Sequence, residues 1–413
     1  MSHRTVWRWH FYSGLVVAPV LLILAGTGAL YLFEREIDGA AHAGVLRVQP
    51  GANAASLATQ ETAALAAHPD AVLLSMTPPR SADAASRWTL RLPDGAKREL
   101  FVDPYTARIQ GEIDPDGSLP AIARRLHGTL LSGDAGSYLV ELTACWTLVM
   151  LLTGLYLWWP ARWRLSAFVP RASARGRAFW RDWHAIPAMF NAVLVLLLVL
   201  TGLPWSVFWG TQFARLGEHL PLLAPSPNFS SRPPPAINGL PWVIQHHGTP
   251  QGTDVPRASI AAIEPSLTQA GLLGHAADLK VIYPAAPGDV FLASYTPAKA
   301  QNQRTVYLDP GDGRQLGSIG WHDYSPTARA VEWGVMTHMG RQYGRANQFA
   351  NLAVCAVLIG TTIAGVILWW KRRPRGRLGA PERIAGDRLP RGIVVVLVTL
   401  GLLFPLLGAT LIL

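Results

Sequence analysis

Four of the twelve histidines carry most of the chemistry this sequence offers. His10 and His184 each follow a tryptophan at the start of an apolar stretch, and a Thr-Gly pair comes 17 residues after each, at Thr27-Gly28 and Thr201-Gly202. His127 and His338 each precede an apolar stretch, and a Trp-Trp pair begins 31 residues after each, at Trp158-Trp159 and Trp369-Trp370. Matched imidazoles at one depth on facing helices suit a haem with two axial ligands, which must approach one iron from opposite sides. Neutral imidazole is a good iron ligand, whereas lysine or a carboxylate at that depth carries a desolvation cost. The expected ligand pairs are His10 with His184 and His127 with His338. Two other readings stay open: histidines beside tryptophans anchor an interfacial aromatic belt, and imidazoles bind zinc. His-x-x-x-His spacing is absent, and so is a cysteine pair.

Other residues are weighed against these. Arg8, Arg181, Arg124, Arg125, Arg341 and Arg345 flank the four histidines and could pair with propionates or serve as topology charges. Gly14, Gly26, Gly28, Gly154, Gly202, Gly360 and Gly365 would let a macrocycle or a neighbouring helix come close. Glu141, the one acidic residue within a span, is either interfacial or a proton or ligand-orienting group. His246-His247 and His322 read as loop residues with a lesser claim to a substrate or metal role. His3, His42, His68, His219 and His275 read as surface residues. Cys145 and Cys355 sit mid-helix and read as packing residues. There is no Gly-x-Gly-x-x-Gly, no Walker loop, no Gly-x-Ser-x-Gly and no Cys-x-x-Cys-His. Electrons would therefore come from an outside donor: a quinol, another protein such as a flavoprotein, or a soluble reductant.

The elements that must position these groups are apolar blocks. Half of the 413 residues are hydrophobic and 15% are charged, which moves the class from soluble enzyme to membrane protein. Phe11–Phe33, Tyr138–Trp159, Phe190–Trp209, Phe349–Trp370 and Ile393–Leu413 are nearly free of charge. Each is about 20 residues long, enough at about 1.5 Å per residue for a hydrocarbon core of about 30 Å. The first is too long for a signal core and reads as a retained anchor.

The net charge of +10 is unevenly spread. Residues 1–10, 161–183 and 371–391 hold sixteen basic and three acidic residues, whereas 34–137 and 211–345 hold 20 basic and 22 acidic. Short basic loops alternating with long near-neutral segments follow the positive-inside pattern, so the N-terminus is expected in the cytoplasm and the long segments outside. The basic patches are topology signals facing membrane lipid, and no nucleic-acid partner is expected.

The histidine matches extend into a repeat. Phe101-Val102-Asp103-Pro104 running on to Gly111-Glu112-Ile113 recurs as Tyr307-Leu308-Asp309-Pro310 running on to Gly317-Ser318-Ile319. The expected architecture is a polytopic α-helical membrane protein with four core transmembrane helices in two parallel repeats, a C-terminal fifth, and two outer α+β domains. Its segments are a span over 1–34, an outer domain over 35–137, a span over 138–160, a basic loop over 161–183, a span over 184–210, an outer domain over 211–345, a span over 346–370, a basic loop over 371–391, and a last span over 392–413. Within the outer domains, a helix ends at His68-Pro69. Arg87–Leu92 and Arg98–Val102 read as a hairpin about Asp94-Gly95, and Val290–Tyr295 and Arg304–Leu308 read as strands. Pro221–Pro241 reads as an irregular linker.

Arg8-Trp9-His10, Gly14-Leu15, Thr27-Gly28, Phe101-Val102-Asp103-Pro104-Tyr105-Thr106, Leu126-His127-Gly128, Thr153-Gly154-Leu155, Asp182-Trp183-His184, Thr201-Gly202 and Leu368-Trp369-Trp370-Lys371 together resemble the PepSY-associated transmembrane family over about residues 4–375. In the second half Gly311-Asp312-Gly313 replaces the Tyr-Thr turn of the pattern. The resemblance implies a bacterial inner-membrane protein with periplasmic PepSY-like domains, in a family that includes haem-containing ferrisiderophore reductases. It implies haem b, two per chain, on His10, His184, His127 and His338, and a ferric siderophore as substrate. Arg304, Arg314, Trp321 and Tyr324 are the expected docking contacts. The other classes weighed are a non-enzymatic PepSY module that regulates a peptidase or transporter, and a siderophore permease.

Overall fold

The computed structural model describes residues 3–160, 162–164, 167–171, 173–219, 227, 229, 231–232, 240–273, 278–374, 376, 378–379 and 391–412. His275, most of the Pro221–Pro241 linker and much of the 371–391 basic loop lie outside them. The chain divides into two compact units. One comprises residues 1–32, 123–213 and 345–413, the other residues 33–122 and 214–344.

In the first unit four helices among the described residues are long and apolar enough to cross a membrane: His3–Tyr31, Gly133–Trp158, Gly176–Trp205 and Arg345–Arg372. Their outward faces are apolar, with Val16 and Val193 each 72% exposed, which suits lipid rather than water. Polar side chains within the spans are turned onto backbone carbonyls. Thr27 donates to Ile23, Thr153 to Val149 and Thr201 to Leu197, each at 2.7 Å. Between spans, Asn191 donates to the Val354 carbonyl at 3.0 Å. Cys145 and Cys355 are buried free thiols, as packing residues would be.

The last apolar stretch differs from the single span expected over 392–413. It forms two helices, Arg391–Leu403 and Pro405–Ile412, bent so sharply at Phe404 that Gly401 and Gly408 back onto one another. Pro405 has no N–H to give to the Gly401 carbonyl, and at the bend the Leu403 carbonyl accepts the Trp209 indole N–H at 3.0 Å. Phe404 and Leu407 are buried with Cys145, Leu148, Val149 and Leu203. At about 1.5 Å per residue neither piece reaches across a hydrocarbon core of about 30 Å.

The second unit is β-rich. Eight antiparallel strands form one sheet in the order β4-β3-β2-β1-β5-β6-β7-β8. The first half supplies β1 Val72–Thr77, β2 Ser86–Arg91, β3 Lys97–Val102 and β4 Ile109–Ile113. The second supplies β5 Leu279–Ile282, β6 Phe291–Tyr295, β7 Arg304–Leu308 and β8 Gln315–Gly320. The two outer segments, read separately in the sequence, thus share a sheet. β1 and β5 pair at Ser75↔Ile282 and Met76↔Val281, so neither is left with an open edge.

The register of one half recurs in the other. Phe101 faces Gly111 and Val102 faces Ile109 across a bulge, just as Tyr307 faces Gly317 and Leu308 faces Gln315. The turns after β3 and β7 also correspond: the Tyr105 N–H donates to Asp103, and the Gly311 N–H to Asp309, each at 2.8 Å. Gly313 and Ala107 both take left-handed φ there, at 71° and 55°, so the altered second turn keeps the same path.

One face of the sheet, including Met76, Trp88, Leu90, Leu100, Val281, Phe291 and Val306, packs on helices Leu57–Ala67 and Glu264–Gln269. These helices brace one another across the halves. Glu264 accepts the Leu57 N–H at 2.9 Å, while buried Glu61 accepts the Tyr283 hydroxyl at 2.9 Å and the Ser259 hydroxyl.

Candidate functional site

His10 on the first span and His184 on the third face one another, with ring centres 6.2 Å apart and planes at 65°. Two imidazoles bound about 2 Å from a metal on opposite sides put their ring centres roughly 6 Å apart.

The way each ring is held decides which nitrogen it offers. The Thr153 hydroxyl gives its proton to the Val149 carbonyl and so accepts at His10 Nδ1, 3.0 Å away. His184 Nδ1 lies 2.8 Å from the Thr361 carbonyl, which can only accept. Both rings therefore carry the proton on Nδ1 and the lone pair on Nε2, the tautomer a metal-ligating histidine needs. Glycines make room behind them. A Cβ on Gly154 would come within 3.2 Å of His10 Cε1, and one on Gly365 within 3.0 Å of His184 Cε1 and Nδ1. Each ring is thus backed by the second span of its own half: His10 by the helix carrying Thr153-Gly154, His184 by the helix carrying Thr361 and Gly365.

His127 is held by the same device. It sits on helix Leu119–Thr129, with Nδ1 3.0 Å from the Leu24 carbonyl and 3.2 Å from the Thr27 hydroxyl, whose own proton goes to Ile23. A Cβ on Gly28 would lie 3.2 Å from His127 Cε1. Just beyond, Leu130 and Leu131 take left-handed φ of 47° and 58°, and Gly136 lies so close to the Thr129 carbonyl that no Cβ fits. His338 ends helix Pro326–His338 and belongs to the other unit.

The donor set fits haem. The macrocycle brings four nitrogens of its own and needs two imidazoles, whereas structural zinc needs four protein ligands. Among the described residues no group of three His, Cys, Asp or Glu converges as a metal-ion site.

The remaining candidates separate clearly. Glu141 is buried and accepts the Phe208 N–H at 3.0 Å and the Trp209 N–H at 3.1 Å, so it caps helix Trp209–His219. Arg181 and Arg171 both pair with buried Asp182, at 3.1 and 2.8 Å. Arg8 lies 5.6 Å from the Tyr12 ring centre, and Arg341 pairs with Glu34 at 3.3 Å. The Trp-Trp pair at the fourth exit takes a cation: Arg373 sits 3.5 Å from the Trp370 ring centre. His247 is buried, its imidazole pushed below the ordinary value by that burial, and it accepts the Phe229 N–H. His68 pairs with Glu112 at 2.8 Å. Of the expected docking contacts, Arg304 and Arg314 are exposed, while Tyr324 is buried at 3% exposure and offers no docking surface.

Sequence reasoning did not single out Thr153 or Thr361 as groups that back the histidines. The signal was present as Thr153-Gly154, the same dipeptide as Thr27-Gly28.

Four spanning helices, a β-rich unit and an opposed histidine pair inside the bundle define a polytopic membrane protein. The chain belongs to the PepSY-associated TM region family, which matches residues 7–372. No curated protein matches it.

Proposed function

We propose that this chain is a haem-containing reductase of the bacterial inner membrane that delivers electrons to a periplasmic ferric siderophore and releases Fe(II). The observation that carries the reading is the 6.2 Å opposition of His10 and His184, each with Nδ1 anchored so that Nε2 is the ligand atom. Haem b, when bound, supplies the one-electron redox chemistry. The chain's residues do the rest: His10 and His184 hold one group, His127 and His338 the second, and Thr153, Thr27 and the Thr361 carbonyl fix ring orientation. Ferric iron is gripped by hard oxygen ligands far more tightly than ferrous iron, so one electron is enough to loosen it.

The recurrent sheet register and the matched Thr-Gly backing support descent of both halves from one duplicated unit. The charge distribution supports a cytoplasmic N-terminus and a periplasmic β-rich unit. The electron donor is a quinol, a flavoprotein or a soluble reductant.

The test is anaerobic mixing of pre-reduced, detergent-purified protein with a ferric siderophore in the presence of a ferrous-specific chromophore. Fe(II) should appear in step with reoxidation of the protein, and both should be lost in His10→Ala and His184→Ala. Protein that stays reduced while the chelate keeps its iron would refute the reading.

A further inference from the structure

Where the first and third spans begin and the fourth ends, guanidinium groups are seated on tryptophan rings. Arg372 lies over the Trp7 ring, 3.8 Å from its centre, so a residue of the fourth span meets one of the first. Arg373 lies over the Trp370 ring at 3.5 Å and reaches the Trp369 ring at 5.4 Å. The chain beyond the fourth span folds back and holds these groups. Arg372 Nη2 donates to the Gly379 carbonyl at 3.0 Å, and the Trp369 indole N–H to the Leu378 carbonyl at 2.7 Å. Arg177, in the first turn of the third span, stands close enough to Arg372 for the two charges to repel.

The charge here is positive by count. Residues 371–391 hold eight basic residues against Glu382 and Asp387, and residues 161–183 hold six against Asp182. Asp182 is already shared by Arg171 and Arg181. Glu382 and Asp387 lie outside the described residues, and two carboxylates cannot match eight cations. Among the described residues no carboxylate pairs with Arg177, Arg372 or Arg373.

A topology signal needs only net charge beside the membrane. It does not need guanidiniums held on aromatic faces, which fixes their position and leaves their charge and most of their N–H donors available. Tryptophan rings gather at the level of the lipid headgroups, and Trp370 is 60% exposed beneath Arg373. Phosphate is the acidic group met at that level, and guanidinium forks match its oxygens.

We propose that Arg177, Arg372 and Arg373, with Trp7 and Trp370, form a binding site for the phosphate of an anionic phospholipid. The headgroup takes the seated guanidiniums and leaves its acyl chains in the surrounding bilayer. The site uses none of the four histidines and stands apart from the haem reading.

The test is binding of an acyl-chain-labelled phosphatidylglycerol to the delipidated full chain in non-ionic detergent. Competitors are unlabelled phosphatidylglycerol, phosphatidylcholine and inorganic phosphate at matched ionic strength. Phosphatidylglycerol should displace the label at roughly a tenth of the phosphatidylcholine concentration or less. Arg372→Ala combined with Arg373→Ala should weaken binding about tenfold or more. Arg304→Ala combined with Arg314→Ala, which removes the same charge from the β-rich unit, should leave it unchanged. Trp370→Leu keeps every charge and removes the seat of Arg373, so it should weaken binding severalfold, and it carries the test if the double arginine variant does not fold. Equal competition by phosphatidylcholine, equal loss in the two double variants, or full binding by Trp370→Leu overturns the site. Displacement by inorganic phosphate as effective as by phosphatidylglycerol overturns the lipid assignment in favour of a free anion.

Discussion

The Thr153 hydroxyl gives its proton to Val149 and keeps a lone pair for His10, and Thr27 does the same for His127. In the second half Ala364 precedes Gly365 and offers no hydroxyl, so His184 reaches the Thr361 carbonyl directly. This much was half legible in the sequence. The histidines stood out because the halves match. Among the glycines noted for close approach, Gly28, Gly154 and Gly365 do back imidazoles, whereas Gly26 and Gly360 face open space. Composition cannot make that distinction, because it depends on which helix face meets a ring. A substitution can. Gly365→Ala puts a methyl 3.0 Å from His184 and should lower haem content roughly tenfold, as loss of ligand support does at metal sites. Gly360→Ala, with nothing near its Cβ, should leave the absorbance spectrum unchanged.

At the scale of elements, strands with strong alternation and a hairpin signal were readable. The Asp94-Gly95 turn joins β2 to β3, with Gly95 at φ 86°, and β7 covers Arg304–Leu308 as expected. β1 and β5 were not readable, because their pairing joins residues some 200 positions apart and has no local signature. Pro19 and Pro405 show the same limit. The first is absorbed inside a continuous helix, whereas the second bends the chain because Phe404 is buried against Trp209 and the Trp209 indole takes the Leu403 carbonyl. Glu141 was noticed for its charge, and its role as a cap depends on Phe208 and Trp209, far from it in the sequence. Removing it in Glu141→Ala leaves the Phe208 and Trp209 N–H groups without their acceptor. The bundle should then lose about 2 kcal/mol, read as a lower unfolding midpoint in detergent, with Glu141→Gln recovering part of the loss.

For the whole molecule, the composition and charge pattern gave the membrane class, and the four spans stand where the apolar blocks predicted. The single sheet is what the sequence hid: each half reads as a small α+β fold, and the β1–β5 pairing makes their strands one sheet. Buried Glu332 makes the stability of the β-rich unit depend on pH. Burial raises its carboxyl to about 7, well above the ordinary value of 4.5, although it accepts the Val243 N–H at 2.8 Å. The folded state therefore holds this proton more tightly than the unfolded chain does. Its contribution is fully present below about pH 4.5 and is lost as the pH rises through about 7, a swing of about 3 kcal/mol. Denaturant unfolding across that range should show the decline, and Glu332→Gln should flatten it.

Whether His10 and His184 share an iron is read out by haem stoichiometry and reduced-minus-oxidised spectra on purified protein. Wild-type protein should carry about two b-type haems per chain, with one lost in either His10→Ala or His184→Ala and the other in either His127→Ala or His338→Ala. Wild-type protein with less than one haem per chain, or His10→Ala and His184→Ala variants that keep the full complement, would contradict it.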